Sequence, residues 1–285
     1  MKIQNALIWG TEQLQQSLSP RLDAEILLAF LLRISRVYLM THHQRELTDV
    51  EMDKFREVIA KRKTGYPIAY ITGVKEFYGR DFSVQEEILI PRPETEHLIE
   101  IIVEWAKTHP VETIIDIGAG SGAIGITLGL ELEETRVFAT DISKMAVYMA
   151  TENAKNHHLM RYLVLLGNLD EPLIPLELQE KVDVLVSNPP YIPKQEIDDL
   201  MSDVRDFEPH LALDGGEDGL DFYRALVKIS KGYLRSGGLL AFEIGADQGQ
   251  AVADLLLKAG YQSVAIHPDL AGLDRVVSGE KAQEP

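Results

Sequence analysis

The strongest constraint on the fold is a series of short apolar segments that alternate with longer amphipathic ones after residue 112. The short segments are rich in β-branched residues, as in buried strands, and the longer ones have a helical repeat. This alternation predicts a doubly wound α/β sheet, which binds ligands at the carboxyl ends of its strands. The predicted strands are residues 113–117, 136–140, 162–166, 182–187 and 239–244, and the predicted helices include residues 143–157, 221–234 and 248–259.

The N-terminal region has a helical pattern instead. Residues 24–32 form an apolar helix, and Thr48-Asp49-Val50-Glu51 has the spacing of a capping box. An apolar stripe behind that box predicts a small helical core. The stripe consists of Met52, Phe55, Val58 and Ile59. The basic residues around the same helix are interpreted as a solvated face, and they are Lys54, Arg56, Lys61, Arg62 and Lys63.

Glycine and proline separate short apolar and aromatic runs between residues 65 and 84, which is typical of a hairpin. Pro91-Arg92-Pro93 interrupts regular structure before a helix at residues 94–105. We therefore predict an N-terminal helical domain at residues 1–72, a β-hairpin connector at residues 73–90 and a catalytic α/β domain at residues 91–285.

Acidic residues are concentrated in the predicted catalytic domain. The net charge is −17, with 13 basic and 12 acidic residues at positions 1–92 but 15 basic and 33 acidic residues at positions 93–285. An acidic field repels phosphate backbones, so we expect no stable binding of nucleic acid. The N-terminal domain, by contrast, is nearly neutral.

The composition also excludes several kinds of site. The chain has no cysteine, which excludes disulfides, thiolate zinc sites and cysteine nucleophiles. The adjacent histidine pairs His42-His43 and His157-His158 do not share a helical face, so no metal site is predicted. The longest apolar run, residues 26–32, is too short to span a bilayer, and the first residues do not resemble a secretory signal. We expect a cytoplasmic protein with no membrane partner.

A glycine-rich turn follows the first predicted strand, in the sequence Asp116-Ile117-Gly118-Ala119-Gly120-Ser121-Gly122-Ala123. Glycines at the start of a helix let the backbone approach a ligand closely. Asp141 ends the second strand 19 residues beyond Gly122, where its carboxylate can bind the two hydroxyls of an adenosine ribose. Ser143 can cap the next helix, which leaves Asp141 free. Both NAD and S-adenosylmethionine fit this arrangement.

The most specific motif is Asn188-Pro189-Pro190-Tyr191, which ends a buried strand. Two prolines remove two backbone donors and keep the chain extended, so the local carbonyls remain as acceptors. The Asn188 side-chain oxygen and the Pro189 carbonyl can then bind an NH2 group, and the Tyr191 ring can cover a flat amide or base. Methyltransferases that modify planar nitrogens of adenine, cytosine, guanine or glutamine have a similar motif.

Over nearly its whole length, the chain resembles the HemK/PrmC family of peptide chain release factor glutamine methyltransferases. The matching stretches are Leu22-Asp23-Ala24-Glu25, Pro67-Ile68-Ala69-Tyr70-Ile71-Thr72-Gly73, Glu76-Phe77-Tyr78-Gly79, Ile90-Pro91-Arg92-Pro93-Glu94-Thr95-Glu96, residues 116–124, residues 187–192 and Asp274-Arg275-Val276-Val277. The resemblance implies a seven-stranded, Rossmann-like class I methyltransferase domain, preceded by a small helical domain and a β-hairpin. It also implies a substrate, the glutamine in the Gly-Gly-Gln motif of class 1 release factors.

The same resemblance assigns roles to individual residues. It implies that S-adenosylmethionine, and the product S-adenosylhomocysteine, contact a set that includes Asn168 and Leu169, where the family usually has an acidic residue followed by an apolar or aromatic one. The full cofactor set is Gly118, Ala119, Gly120, Ser121, Gly122, Asp141, Asn168, Leu169 and Asn188. The residues expected to hold the substrate glutamine are Asn188, Pro189, Pro190 and Tyr191.

Three other functions compete with protein glutamine methylation. A DNA or RNA base amino-methyltransferase has the same Asn-Pro-Pro-Tyr chemistry, but it normally has a basic surface for the nucleic-acid backbone. A nicotinamide-dependent dehydrogenase accounts for the glycine turn and Asp141 but gives residues 188–191 no role. A binding module could have the cofactor fold without turnover.

Overall fold

The computed structural model describes residues 1–283 as two compact units. The first contains Met1–Val74 and Met201–Phe207, and the second contains Lys75–Leu200 and the described residues from Glu208 onward. The helices are α1 (Ile3–Gln13), α2 (Pro20–Leu32), α3 (Arg36–Thr41), α4 (Asp49–Lys63), α5 (Ile68–Thr72), α6 (Glu96–Ala106), α7 (Ala123–Glu131), α8 (Lys144–Asn156), α9 (Ser202–Arg205), α10 (Asp221–Tyr233) and α11 (Gly249–Lys258). The strands are β1 (Val74–Phe77), β2 (Arg80–Ser83), β3 (Thr113–Ile117), β4 (Arg136–Asp141), β5 (Tyr162–Leu166), β6 (Val182–Ser187), β7 (Leu234–Glu243), β8 (Tyr261–Pro268) and β9 (Asp274–Lys281).

The first unit is helical and has its own apolar core. Phe55 on α4 is fully buried in this core, and Trp9 on α1 contacts it edge to face at 6.0 Å between ring centroids. The predicted stripe on α4 is confirmed, because Met52, Phe55 and Ile59 are buried and Val58 packs against them. The predicted capping box is also present between Thr48 and Glu51.

The prediction that Arg62 belongs to a solvated face is wrong. Its Nε donates to Asp23 at 2.8 Å, in an ion pair whose side chains are only 13% and 5% exposed. Arg62 is seven residues after Phe55 and three after Ile59, which places it on the buried face of α4. A basic residue at this position anchors α4 to α2 through a buried carboxylate.

The second unit is built on a seven-stranded sheet in the order β5-β4-β3-β6-β7-β9-β8. The first five strands pair in parallel, and β9 is antiparallel to both β7 and β8. Side chains of the central strand β3 alternate between two cores. Ile115 and Ile117 face the core that contains α10 and α11 residues, and Ile114 faces the core that contains α6 and α7 residues. Helices therefore cover both faces of the central strands, which explains why these strands are almost entirely apolar.

The predicted fold class is confirmed, although the strand predictions were incomplete. β3, β5 and β6 have the predicted bounds, whereas β7 begins at Leu234 rather than at residue 239. β8 and β9 were not predicted from the hydrophobic pattern. β8 is mostly half-buried or exposed, so it lacks a continuous apolar run.

The β1-β2 hairpin is joined to the glycine-rich turn by one buried side chain. Asn153 on α8 accepts a hydrogen bond from the Ser83 amide at 2.8 Å, and its Nδ2 donates to the carbonyls of Ser83 at 3.0 Å and Ser121 at 2.8 Å. This fully buried amide therefore fixes the turn from behind.

Two classes of feature are absent from residues 1–283. No helix there is long and apolar enough to cross a membrane. No three His, Cys, Asp or Glu side chains within that range are grouped so that they could hold a metal ion.

We predict that Arg62→Ala lowers the free energy of unfolding of the first unit by about 3 kcal/mol, because it leaves the Asp23 carboxylate buried without its charged partner. The chain has two tryptophans, Trp9 in the first unit and Trp105 in the second. Urea unfolding followed by fluorescence in a Trp105→Phe background therefore reports on the first unit.

The matched control is Arg56→Ala. Arg56 pairs with the exposed Asp53, so its loss should change the free energy of unfolding by less than about 1 kcal/mol. Equal effects of the two substitutions would contradict the assigned role of the buried ion pair.

Candidate active site

The glycine-rich turn forms one wall of a cavity of about 300 Å³ at the carboxyl ends of the parallel strands. Gly118 and Gly120 line this cavity and have φ angles of +82° and +55°, which residues with a side chain rarely adopt. A Cβ atom at either position would meet no other atom within 4 Å. The backbone conformation thus favours glycine, and the absence of a side chain leaves open space where a ligand can contact the backbone.

The other predicted residues of the turn lie behind this surface. Ala119 and Ser121 are buried, and Ala119, Ser121 and Gly122 do not line the cavity. The amides of Gly118 and Ala119 donate to the Thr140 carbonyl, at 2.9 and 3.0 Å. The amides of Gly118 and Ala119 are therefore occupied within the protein, and cofactor contacts of Ala119, Ser121 and Gly122 stay a prediction.

Asp141 lies at the end of β4, beside the turn, and lines the cavity. Its Oδ2 accepts from the Gly120 amide at 2.9 Å and its Oδ1 from the Ser143 amide at 2.8 Å. Burial raises the pKa of Asp141, and these backbone hydrogen bonds oppose the rise. Ser143 caps α8 as predicted, with its side chain accepting from the Ala146 amide. The carboxylate is therefore held in place with lone pairs left for hydroxyl donors.

A second carboxyl group is buried directly behind the turn. Asp116 is fully buried, and its Oδ2 accepts from the Gly125 amide at 2.9 Å. Its Oδ1 has no hydrogen-bond partner among the described residues. Burial, with a smaller contribution from the negative charge of Asp141, raises the pKa of Asp116 to about 7. The buried Asp116 carboxyl group behind the turn therefore lowers the stability of the folded state.

The opposite side of the cavity is formed by the segment that follows β6. Asn188, Pro189 and Pro190 line the cavity, and the Ser187 hydroxyl donates to the Ile117 carbonyl at 2.7 Å, which joins the ends of β6 and β3. The Asn188 Nδ2 donates to the Thr95 hydroxyl at 3.3 Å. Two proline rings and an anchored amide thus face the same space as the glycine-rich turn.

Tyr191 does not line the cavity, in contrast to the other residues of its motif. Its side chain packs partly buried against the core on the α10–α11 face of the sheet, and burial raises its pKa to about 12. The phenol is therefore neutral near pH 7. The structure brings Asn188, Pro189 and Pro190 together with Gly118, Gly120, Asp141, Asn168 and Leu169, all of which line one cavity.

Residues that the sequence analysis did not single out hold the backbone of Tyr191. The Gln248 Nε2 donates to the Tyr191 carbonyl at 2.8 Å, and the Gln248 Oε1 accepts from the Gly245 amide at 3.0 Å. Gly215 also approaches closely, since a Cβ there would lie 2.7 Å from the Tyr191 Cα. Gly215, Gly216 and Gly219 are a local sequence signal for such a close approach of two backbone segments.

The remaining wall consists mainly of apolar side chains. Leu211 and Ala212 contribute from the loop before α10, and Phe222 and Leu226 contribute from α10 itself. At the start of that loop, Glu208 accepts hydrogen bonds from Arg92 Nη2 at 2.5 Å and from the Ile90 amide at 3.3 Å. An apolar wall with few polar groups is typical of a site for a flat organic ligand.

Comparisons with known proteins identify the family of this chain. Family models match residues 5–73 (PrmC N-terminal domain) and residues 95–205 (methyltransferase small domain). The release factor glutamine methyltransferase of Clostridium acetobutylicum is 40% identical over 97% of this chain and 98% of its own length. The enzyme of the same description from Moorella thermoacetica is 45% identical over 93% of each chain. A solved methyltransferase structure from Pyrococcus furiosus has the same fold, with a TM-score of 0.51 and 18% identity over 80% of this chain and 98% of that one. The chain therefore belongs to the release factor glutamine methyltransferase family.

Proposed function

We propose that this enzyme transfers a methyl group from S-adenosylmethionine to the side-chain amide nitrogen of the glutamine in the Gly-Gly-Gln motif of class 1 release factors. The observation that carries the proposal is the position of Asn188 and Pro189, which face the same cavity as Gly118, Gly120 and Asp141. One wall of the cavity suits an adenosine, and the other suits a planar NH2 group.

The residues on the adenosine side fit S-adenosylmethionine, which supplies an electrophilic methyl group when bound. Asp141 offers carboxylate oxygens to the ribose hydroxyls, and Gly120 keeps the backbone beside it free of side-chain bulk. Asn168 and Leu169 line the cavity after β5, and Leu169 provides an apolar surface for the adenine. These roles are consistent with the cofactor use of the family.

The residues on the other side suit an amide nucleophile. The lone pair of an amide nitrogen is delocalised, so the nitrogen must be held in line with the methyl group, and proximity supplies much of the catalysis. Hydrogen bonds from the substrate NH2 to the Asn188 Oδ1 and the Pro189 carbonyl would orient the nitrogen. They would also stabilise the positive charge that develops there during transfer. Once methylated, the amide nitrogen carries a positive charge and readily loses a proton to solvent, which leaves the neutral N-methyl amide.

We further propose that residues 1–72 recognise the protein substrate. The release factor substrate is supported by the relatives described as release factor glutamine methyltransferases. A single glutamine offers too little contact surface for selection, so specificity must depend on contacts remote from the methyl group. The acidic surface of residues 93–285 also disfavours a nucleic-acid substrate.

We predict that Asp141→Ala weakens binding of S-adenosylhomocysteine by roughly 10- to 150-fold, because a charged hydrogen-bond acceptor contributes about 1.5–3 kcal/mol. Asp141→Asn, which keeps one acceptor oxygen, should have a smaller effect. Titration calorimetry on variants with native melting temperatures measures both. Unchanged affinity in Asp141→Ala would remove this residue from the cofactor site.

The central test supplies the enzyme with S-adenosylmethionine labelled on the methyl group and, in separate reactions, with an intact release factor, DNA or RNA. We predict label only on the release factor, at the Gly-Gly-Gln glutamine by peptide mass spectrometry. Asn188→Ala should lower single-turnover methylation by about a hundredfold, the loss seen when one preorganised hydrogen-bonding group is removed. Label on nucleic acid alone would favour the base methyltransferase, and a wild-type rate in Asn188→Ala would reject the amide-holding role.

The recognition role of residues 1–72 is tested by charge reversal at the exposed Lys54, Arg56 and Lys63, replaced together by glutamate. Arg62 is left intact because of its buried ion pair. We predict that kcat/KM on intact release factor falls by about tenfold at low ionic strength, since charges at an interface mainly affect association. The matched control reverses the exposed Lys155, Lys228 and Lys258, which lie in the second unit. Equal losses in the two triple variants would contradict a recognition surface on the first unit.

A further inference from the structure

Thr95 lies directly before α6 and is only 4% exposed. A threonine at this position usually caps the helix by accepting a hydrogen bond from a backbone amide. The Thr95 side chain makes no such bond, and its backbone is already helical. Its buried hydroxyl is therefore available for another role.

The Thr95 hydroxyl lies between two polar side chains of the active site. On one side it accepts from the Asn188 Nδ2 at 3.3 Å. On the other side lies the carboxyl group of Glu243, the last residue of β7, which is 1% exposed and interacts with the Thr95 hydroxyl. The three groups form a chain from a buried carboxyl to the amide that lines the cavity.

The available protons determine which groups donate and which accept along the series Glu243, Thr95 and Asn188. An ionised carboxylate only accepts hydrogen bonds, so the single hydroxyl proton of Thr95 is directed to Glu243. The hydroxyl oxygen can then only accept from Asn188, and the Asn188 group that faces it must be the NH2.

We propose that Glu243 and Thr95 are positioning residues that hold the Asn188 amide with its Oδ1 directed into the cavity. This inference rests on the proposed methyl transfer to a glutamine amide and explains how the enzyme selects that group. An inward Oδ1 accepts from a substrate NH2, whereas a flipped amide would present an NH2 of its own, which repels the substrate nitrogen and pairs with its carbonyl oxygen. This orientation of the Asn188 amide therefore favours glutamine over glutamate at the reacting position.

The ionisation of Glu243 sets the pH range of this effect. Burial raises the pKa of Glu243 to about 7, and the nearby Thr95 hydroxyl and the positive charges of Arg275 and Arg92 oppose the rise. Below this pKa the protonated acid can donate to Thr95, and the orientation of Asn188 is no longer fixed. The titratable and charged groups that act on Glu243 or sense its charge are Arg92 and Glu94 before α6, Tyr191 after β6, Tyr223 on α10 and Arg275 on β9.

The test compares Thr95→Val, which keeps the shape of the side chain but removes the hydroxyl, with Thr95→Ser, which keeps the hydroxyl. We predict that Thr95→Val lowers kcat on intact release factor by about tenfold, as for the loss of one oriented hydrogen bond. Its KM and its calorimetric affinity for S-adenosylhomocysteine should stay near the wild-type values. Thr95→Ser should restore kcat to within about threefold of wild type, because a threefold change corresponds to less free energy than the loss of one hydrogen bond.

The matched control is Thr127→Val on α7. Thr127 is fully buried, its hydroxyl has no partner among the described residues, and it does not line the cavity. This variant undergoes the same chemical change and should keep wild-type kcat. Melting temperatures of all variants separate loss of fold from loss of rate.

A second variant tests the chain from its other end, and it decides the matter if Thr95→Val does not fold. In the wild type, kcat should fall as the pH drops through about 7, the pKa of Glu243, and Glu243→Gln should remove this decline while lowering kcat at pH 8. Wild-type kcat in a folded Thr95→Val, equal losses in Thr95→Val and Thr95→Ser, or an unchanged pH profile in Glu243→Gln would each overturn the inference. If the wild-type enzyme itself does not methylate release factor, the proposed function fails first, and the two failures are thereby distinguished.

Discussion

The parallel pairing of β3 with β4 and β6 is the constraint on which the rest of the site depends. Parallel strands place their carboxyl ends at one edge of the sheet. Gly118 follows β3, Asp141 ends β4 and Asn188 follows β6, so three residues far apart in the sequence line one cavity. The hydrogen bond from Ser187 to the Ile117 carbonyl joins the ends of β6 and β3 and so fixes the spacing between the two walls of the cavity. Precise spacing matters for the proposed reaction, in which catalysis consists largely of holding two groups in line.

Each side of the cavity is backed by a buried carboxyl group that costs stability. Asp116 lies behind the glycine-rich turn and Glu243 behind Asn188, and burial raises the pKa of each to about 7. One oxygen of each carboxyl has no partner among the described residues. Groups of this kind are rare in ordinary cores and are concentrated at functional sites. Their positions link the stability of the second unit to the geometry of its active site.

The sequence predicted the features that have a local signature. β3 and β6 are buried on both faces and are therefore continuous apolar runs, and the glycine-rich turn and Asn188-Pro189-Pro190 are short motifs. The solvated face of α4 was mispredicted at Arg62 because a basic side chain on a buried face is recognisable only when its partner, Asp23, is known. Thr95 and Gln248 were missed for a similar reason, since Thr95 contacts Asn188 across 93 residues and Gln248 contacts Tyr191 across 57. Contacts of that range have no local pattern.

The central claim is that one edge of the sheet presents an amide nitrogen to the methyl group of the cofactor. The most direct measurement is a structure of the enzyme in complex with S-adenosylhomocysteine and a class 1 release factor. The account predicts that the glutamine side-chain nitrogen lies about 3 Å from both the Asn188 Oδ1 and the Pro189 carbonyl oxygen, a normal hydrogen-bond length. It also predicts that Asp141 contacts the ribose hydroxyls. A glutamine side chain bound away from residues 188–190, or held there through its carbonyl oxygen, would contradict the account.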